Sequence, residues 1–292
     1  MNTRPSKNSS RNGSVSTFVW MACVFCLLAV GPHAIEAADF FADKNLEAVI
    51  RETLRKKQID KPQIDPADLK KIFSLNASHR DIATLKGLEH CTSLVSLKLS
   101  HNKIVILDEL AGLANLQTLD LSENQISSVE PIAQLKKLQY LQLTGNQISS
   151  LSPIAGLSEM QNLHLSNNQI KDLKPITSLH KLTSVYLANN QIETLEPVSK
   201  SQWLTTINIQ NNQIKDLSPL GSLTELRYLF AQENQIQDLL PIVKMAQKDA
   251  AGSQRFVPYW RVYLSKNPLS DQATSEQIPA LRKMGVRVVF EK

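Results

Sequence analysis

Three sets of side chains in this sequence have types and spacings that could do chemistry. His79, His101 and Glu123 recur at intervals of 22 residues, and two imidazoles with one carboxylate form an apt donor set for zinc. Asp120 and His164 are an acid and a base standing two such intervals apart, the side-chain types that general acid–base catalysis uses. Tyr140, His164, Tyr186, Tyr228, Phe230 and Tyr263 offer rings, which bury much area with few rotors and so favour binding over reaction. Which of these uses is open depends on the elements that hold them.

Those elements are written in one repeated phrase, LxxLxLxxNxIxxLxPIxxL, between Leu94 and Leu239. Its asparagine falls at Asn102, Asn124, Asn146, Asn168, Asn190, Asn212 and Asn234, each 22 residues after the last. A fixed period in the twenties with leucines and an asparagine at set offsets is the mark of a leucine-rich repeat solenoid. Leu97, Lys98 and Leu99 alternate with the period of a short strand, so the leucines point inward and the residue between them outward. One rung cannot bury its apolar side alone, but stacked rungs can, with strands pairing about 4.8 Å apart in a parallel sheet. The asparagine follows each strand at the turn, where its amide can satisfy buried backbone groups of its own rung and the next. Prolines at 131, 153, 175, 197, 219 and 241 keep the same spacing and suit an outer turn or the first turn of a short helix.

This register decides between the chemistries. Asp120 and His164 lie two rungs apart, so roughly 9 to 10 Å separates their backbones, beyond hydrogen-bond reach. With no nucleophile, phosphate loop or HExxH pattern elsewhere, the sequence points away from an enzyme. The place held by His79, His101 and Glu123 is filled in later copies by Gly145, Asn167, Asn189, Asn211, Glu233 and Lys266. That variety reads as a solvated turn, so no metal or other cofactor is expected.

Outward strand positions are where a solenoid carries specificity. The central column runs Asn76, Lys98, Asp120, Gln142, His164, Tyr186, Asn208, Phe230, Tyr263, and the column two residues earlier runs Ser74, Ser96, Thr118, Tyr140, Asn162, Ser184, Thr206, Tyr228, Arg261. The six rings named above therefore line the concave face. The chain carries +5 in all, of which residues 1–37 hold +2 (Arg4, Lys7, Arg11 and Glu36), leaving +3. Lys98 and Arg261 are mixed with Asp120 and Glu123, so no basic stripe exists to follow nucleic acid.

Residues 1–37 read as a secretory signal peptide: a basic polar lead, the apolar run Thr17 to Val30, then a small residue, Ala37, for cleavage. The run is short of the roughly 20 residues that span a bilayer, so no stable membrane anchor is expected once it is cut. Cys23 and Cys26 leave with it, and Cys91, expected to be a small buried residue between rungs, has no internal disulfide partner. Residues 38–71 form a helical cap, with Asp43 as N-cap, Leu46, Val49, Ile50 and Leu54 at helical spacing, and a second start at Asp65-Pro66. A degenerate first rung keeps Ile72, Leu75, Ala77, Ile82 and Leu85 in register, with Arg80 where asparagine belongs. The repeats occupy 72–269, with a longer outer helix inserted at about 241–258, after which Tyr259, Val262, Leu264 and Asn267 resume the register. Residues 270–292 are a C-terminal cap of helix (Ser270 to Met284) and last strand (Val286 to Phe290).

The repeats, as in LQTLDLSENQISSVEPIAQL, resemble those of bacterial internalins and of phosphatase-binding regulatory subunits of eukaryotes. The ends, DKNLEAVIRETL, GLEHCTSL and NPLSDQATSEQIPALRKMGVRVVF, are similar to exported, internalin-like proteins of planctomycete-type bacteria. The resemblance implies an α/β, right-handed solenoid with short parallel strands on the concave face and 3-10 or short helices on the convex face, used for protein recognition. Adhesin internalins add an immunoglobulin-like domain and a wall anchor, neither found in this sequence, so host-cell adhesion is not expected to carry over. The phosphatase reading conflicts with export. The sequence therefore predicts a non-enzymatic binding protein, secreted or held in the periplasm or cell envelope, that recognises a protein or peptide. A carbohydrate is the second ligand class, and a structural scaffold of the envelope the alternative role.

Overall fold

The computed structural model describes residues 40–252, 254–255 and 257–291, so the signal segment expected at 1–37 lies outside the described residues. Among these, ten strands form one parallel sheet in sequence order: β1 (Ser74–Asn76), β2 (Ser96–Lys98), β3 (Thr118–Asp120), β4 (Tyr140–Gln142), β5 (Asn162–His164), β6 (Ser184–Tyr186), β7 (Thr206–Asn208), β8 (Tyr228–Phe230), β9 (Arg261–Tyr263) and β10 (Arg287–Val289). Each is three residues long, far too short to stand alone. Its stability comes from the row it joins: Leu97, Leu119, Leu141 and Leu163 are mutual partners across β2 to β5 and are fully buried. Burying one such side chain is worth about 1.5–3 kcal/mol, repeated at every rung.

The outer side is made of short 3-10 helices such as Glu130–Gln134, Ser152–Gly156, Lys174–Ser178, Glu196–Lys200 and Ser218–Ser222. Each carries its proline in the first turn, where the missing N–H breaks no helical bond and the fixed φ is already right.

The asparagine column reaches back along the stack rather than forward. Asn168 Nδ2 donates to Leu165 O of its own rung and to Leu143 O of the rung before, both at 3.0 Å, while its Oδ1 accepts from Ile148 N at 2.9 Å. The expected bridge to the following rung is thus made to the preceding one, because the turn folds the amide under the strand just completed. Asn267 makes the same three bonds to Ala231, Leu264 and Ile236, so the ladder survives the 33-residue step that precedes it.

At the N-terminal end, α1 (Lys44–Arg55) buries Leu46, Val49, Ile50 and Leu54. Asp43 caps it by accepting from Asn45 N and Leu46 N, and its second oxygen accepts from Ala83 N at 2.8 Å. One side chain therefore starts the helix and ties it to the first rung. Gly87 (φ +103°) lets the chain pass Phe40, whose carbonyl oxygen would lie 2.2 Å from any added Cβ. A short helix α2 (Pro66–Leu69) follows, where Asp68 accepts from Lys61 and Lys71 at 2.9 Å each.

At the other end the inserted outer helix is α3 (Leu240–Ala250), closed by Asp249, which accepts from Arg255 N and Val257 N. Register resumes one residue later than expected at its first position. Trp260 is fully buried, whereas Tyr259, expected in that slot, is 64% exposed. The insertion delivers the chain through a 3-10 turn, Val257–Tyr259, that rotates Tyr259 outward. The last helical segment contains a π-helical turn, Ala273–Gln277, before α4 (Ile278–Lys283). Pro279 lies just beyond, and a widened turn relieves the ring's clash with the preceding turn.

Candidate ligand-binding face

The sheet's outward side is built by alternation. In β4 to β8 the middle residue is buried and its two neighbours are half-buried, which leaves two parallel columns of side chains facing solvent. The strand pairing aligns Gln142, His164, Tyr186, Asn208, Phe230 and Tyr263 in one column, and Tyr140, Asn162, Ser184, Thr206, Tyr228 and Arg261 in the other.

All six ring-bearing residues singled out in the sequence lie on this face, in two clusters. Tyr140 and His164 meet with ring centroids 5.1 Å apart, and His164 stacks on Tyr186 at 4.4 Å with planes 8° apart. Phe230 stacks on Tyr263 at 4.7 Å and lies parallel to Tyr228 at 6.2 Å. Thr206 and Asn208 of β7 separate the clusters. Burial holds the His164 imidazole below its usual value of 6.5, with Asp120 pulling weakly the other way. It therefore sits between the tyrosines as a neutral ring near pH 7. Burial likewise raises the Tyr140 hydroxyl, helped by Asp120 and Tyr186.

Asp120 stands on β3, two strands from His164, and its Oδ1 accepts from Ser122 N at 3.0 Å and Ser122 Oγ at 2.7 Å. The carboxylate is engaged in its own turn. His79 and His101 stack face to face at 4.2 Å with planes 13° apart, and Glu123 extends over Gly145, whose Cα has no side chain to block it. The imidazoles face each other rather than a common point with the carboxylate, and among the described residues no group of His, Cys, Asp and Glu is arranged to hold a metal ion. What they share is backbone: His79, His101, Glu123, Asn167, Asn189, Asn211, Glu233 and Lys266 all have φ between 52° and 61°, with Gly145 at 70°. The position demands a left-handed turn, which asparagine and glycine tolerate best. Here the asparagines join hands, Asn189 donating to Asn167 and Asn211 to Asn189.

Two features of this face were not singled out from the sequence. One is the left-handed column, signalled by Gly145 and the run of asparagines. The other is a group of arginines at the C-terminal end, Arg227, Arg261 and Arg287, scattered over 60 residues of sequence and joined only by strand pairing. Cys91 is fully buried, and burial pushes its thiol up to about 12.

A parallel sheet of three-residue strands, an asparagine ladder and proline-started outer turns define a leucine-rich repeat solenoid. The family model described as leucine-rich repeats in two copies matches residues 114–156, 158–200 and 202–244, and a second leucine-rich repeat model matches 83–126. Internalin C2 of Listeria monocytogenes is 32% identical, with TM-score 0.68, over 70% of this chain and 91% of its own. The chain belongs to the internalin-like leucine-rich repeat proteins. The functional domain of InlJ from Listeria monocytogenes, which includes a cysteine ladder, shares the fold at 22% identity and TM-score 0.61, over 81% of this chain and 53% of that one. So does the leucine-rich repeat ectodomain of the Arabidopsis thaliana receptor kinase GASSHO1/SCHENGEN3, solved in complex with CASPARIAN STRIP INTEGRITY FACTOR 2. It is 20% identical, with TM-score 0.53, over 63% of this chain and 22% of that one. Among curated proteins none matches. No helix among the described residues is long and apolar enough to cross a membrane.

Proposed function

We propose that this chain is an exported, non-enzymatic recognition protein that binds a protein or peptide through Tyr140, His164, Tyr186, Tyr228, Phe230 and Tyr263. The observation that carries the reading is the pair of ring clusters, half-buried and stacked on an otherwise polar sheet face. Stacked rings are already fixed in position, so a ligand covers them at little cost in side-chain entropy. A protein ligand suits them better than a sugar, because rings stacked on one another have part of their faces occupied. Family membership supports a protein-interaction role, and the Arabidopsis relative's complex is an instance of such binding on the same fold. Export rests on the three-part pattern of residues 1–37.

The test is a pull-down from envelope extract with the wild-type chain and a Tyr186→Ala/Phe230→Ala variant, both shown to be folded by circular dichroism. The reading expects the variant to lose the captured partner. Equal capture by both would refute the concave site and favour the scaffold role.

A further inference from the structure

The C-terminal end of the face carries a feature that ring stacking does not explain. Arg261 on β9 and Arg287 on β10 are direct partners in adjacent strands, so two guanidinium side chains leave one face about 4.8 Å apart at the backbone. Like charges placed directly opposite in a sheet are destabilising. Among the described residues none of Arg227, Arg261 and Arg287 is in an ion pair, while acids of the same end are engaged elsewhere. Glu225 is paired with Arg255, Glu233 with Lys266 at 3.1 Å, and Asp249 with the backbone N–H groups of Arg255 and Val257.

Aromatic rings hold two of the arginines instead. The Arg261 guanidinium lies over the Tyr228 ring at 5.6 Å, and that of Arg227 over Tyr259 at 5.9 Å. A guanidinium held over a ring without an acid partner keeps N–H groups free, and its planar fork is what grips an oxyanion with two parallel hydrogen bonds. Arg227, Tyr228, Tyr259, Arg261 and Arg287 line an open cavity of about 450 Å³. That is within the size range of small-ligand sites.

We propose that this corner is an oxyanion subsite that receives the carboxylates of an acidic peptide segment, with Arg261 and Arg287 as the fork and Arg227 at its flank. The proposal rests on the peptide-binding reading of the face and names the chemistry at one end of it. A peptide is favoured over a free anion because the corner is continuous with the second ring cluster: Tyr228 belongs to both. A chain lying along Phe230 and Tyr263 arrives with an acidic side chain or terminus at the arginines.

The probe is hexaglutamate, titrated calorimetrically into the whole chain at low salt beside hexaserine and inorganic phosphate. Wild type should bind hexaglutamate at least about tenfold more tightly than hexaserine, since each charged hydrogen bond is worth that or more. The affinity should fall as salt is raised. Arg261→Ala/Arg287→Ala should lose the preference, and Arg261→Lys/Arg287→Lys, which keeps charge without fork or stack, should lose much of it. A Lys174→Ala variant, which removes a positive charge from the outer side away from both ring clusters, should bind hexaglutamate as wild type does. The ring face is tested apart from this, by the Tyr186→Ala/Phe230→Ala pull-down, so failure of the corner and failure of the ring face are distinguishable. No preference over hexaserine, full retention by either arginine variant, or phosphate binding as tight as hexaglutamate would each overturn the peptide-carboxylate subsite.

Discussion

Two columns run the length of this solenoid a few residues apart on the same rungs. One is asparagine at every regular copy, Asn102 to Asn234 and again Asn267, and its amides, buried at all but the half-buried Asn190, bond to their own rung and the one before. The other, on the strand itself, is Lys98, Asp120, Gln142, His164, Tyr186, Asn208, Phe230 and Tyr263, different at each step and half-open to solvent. The difference separates what the fold demands from what it leaves free. A buried carbonyl and a buried N–H must be matched by a donor and an acceptor at one place, and the asparagine amide supplies both in the same short side chain. The outward position is asked only to cover a strand, so chemistry can vary there without cost to the stack.

The contrast can be broken first in the core that both columns share. Leu163→Ala should leave a cavity in a row that cannot close around it, lowering stability by about 2–5 kcal/mol in urea denaturation. The ladder comes next: Asn168→Ala orphans the carbonyls of Leu143 and Leu165 and the N–H of Ile148. With buried unpaired groups costing about 1–3 kcal/mol each and water reaching some of them, a loss of about 2–4 kcal/mol is expected in the same assay. The outward column gives the small values, and Gln142→Ala should shift stability by less than about 0.5 kcal/mol. A large loss at Gln142 with a small one at Asn168 would reverse the assignment.

His164 sharpens the comparison, because it is the outward residue most committed to its neighbours. Its folded value lies below the ordinary 6.5, chiefly through burial, so the unfolded chain takes up its proton first. Stability should therefore be full above 6.5 and decline as pH falls from there toward the folded value. His164→Gln should remove that part of the decline, measured as the difference in urea midpoint between the two proteins at pH 7.5 and about pH 5.5.

Much of this was legible in the sequence because repetition multiplies a weak local signal. Three residues such as Thr118–Asp120 carry almost no strand propensity that could be read alone, yet seven aligned copies fixed the register of every strand from β2 to β8. The amphipathic spacing of Leu46, Val49, Ile50 and Leu54 made α1 readable for the same reason. Reading was poorest where the copy number fell to one. Around the insertion the sequence favoured Tyr259 for the buried slot, and only packing distinguishes it from Trp260 next door. The expected direction of the asparagine bridge was reversed because it depends on how the turn is folded under the strand. Arg227, Arg261 and Arg287 were invisible as a group, since their meeting is a product of strand pairing across unequal spacings. His79, His101 and Glu123 matched a metal set by type alone; the two imidazoles are spent on stacking against each other and the carboxylate lies over Gly145.

We propose that ligand specificity lives on the outward column. Its most direct test is photo-crosslinking in envelope extract, with a benzoylphenylalanine installed in place of Tyr186 on β6 and, in a parallel sample, in place of Lys174 on the outer 3-10 helix of the preceding rung. A discrete adduct is expected from position 186, suppressed by excess unlabelled wild-type chain, and none from position 174. The same adducts from both positions, or an adduct from 174 alone, would contradict it.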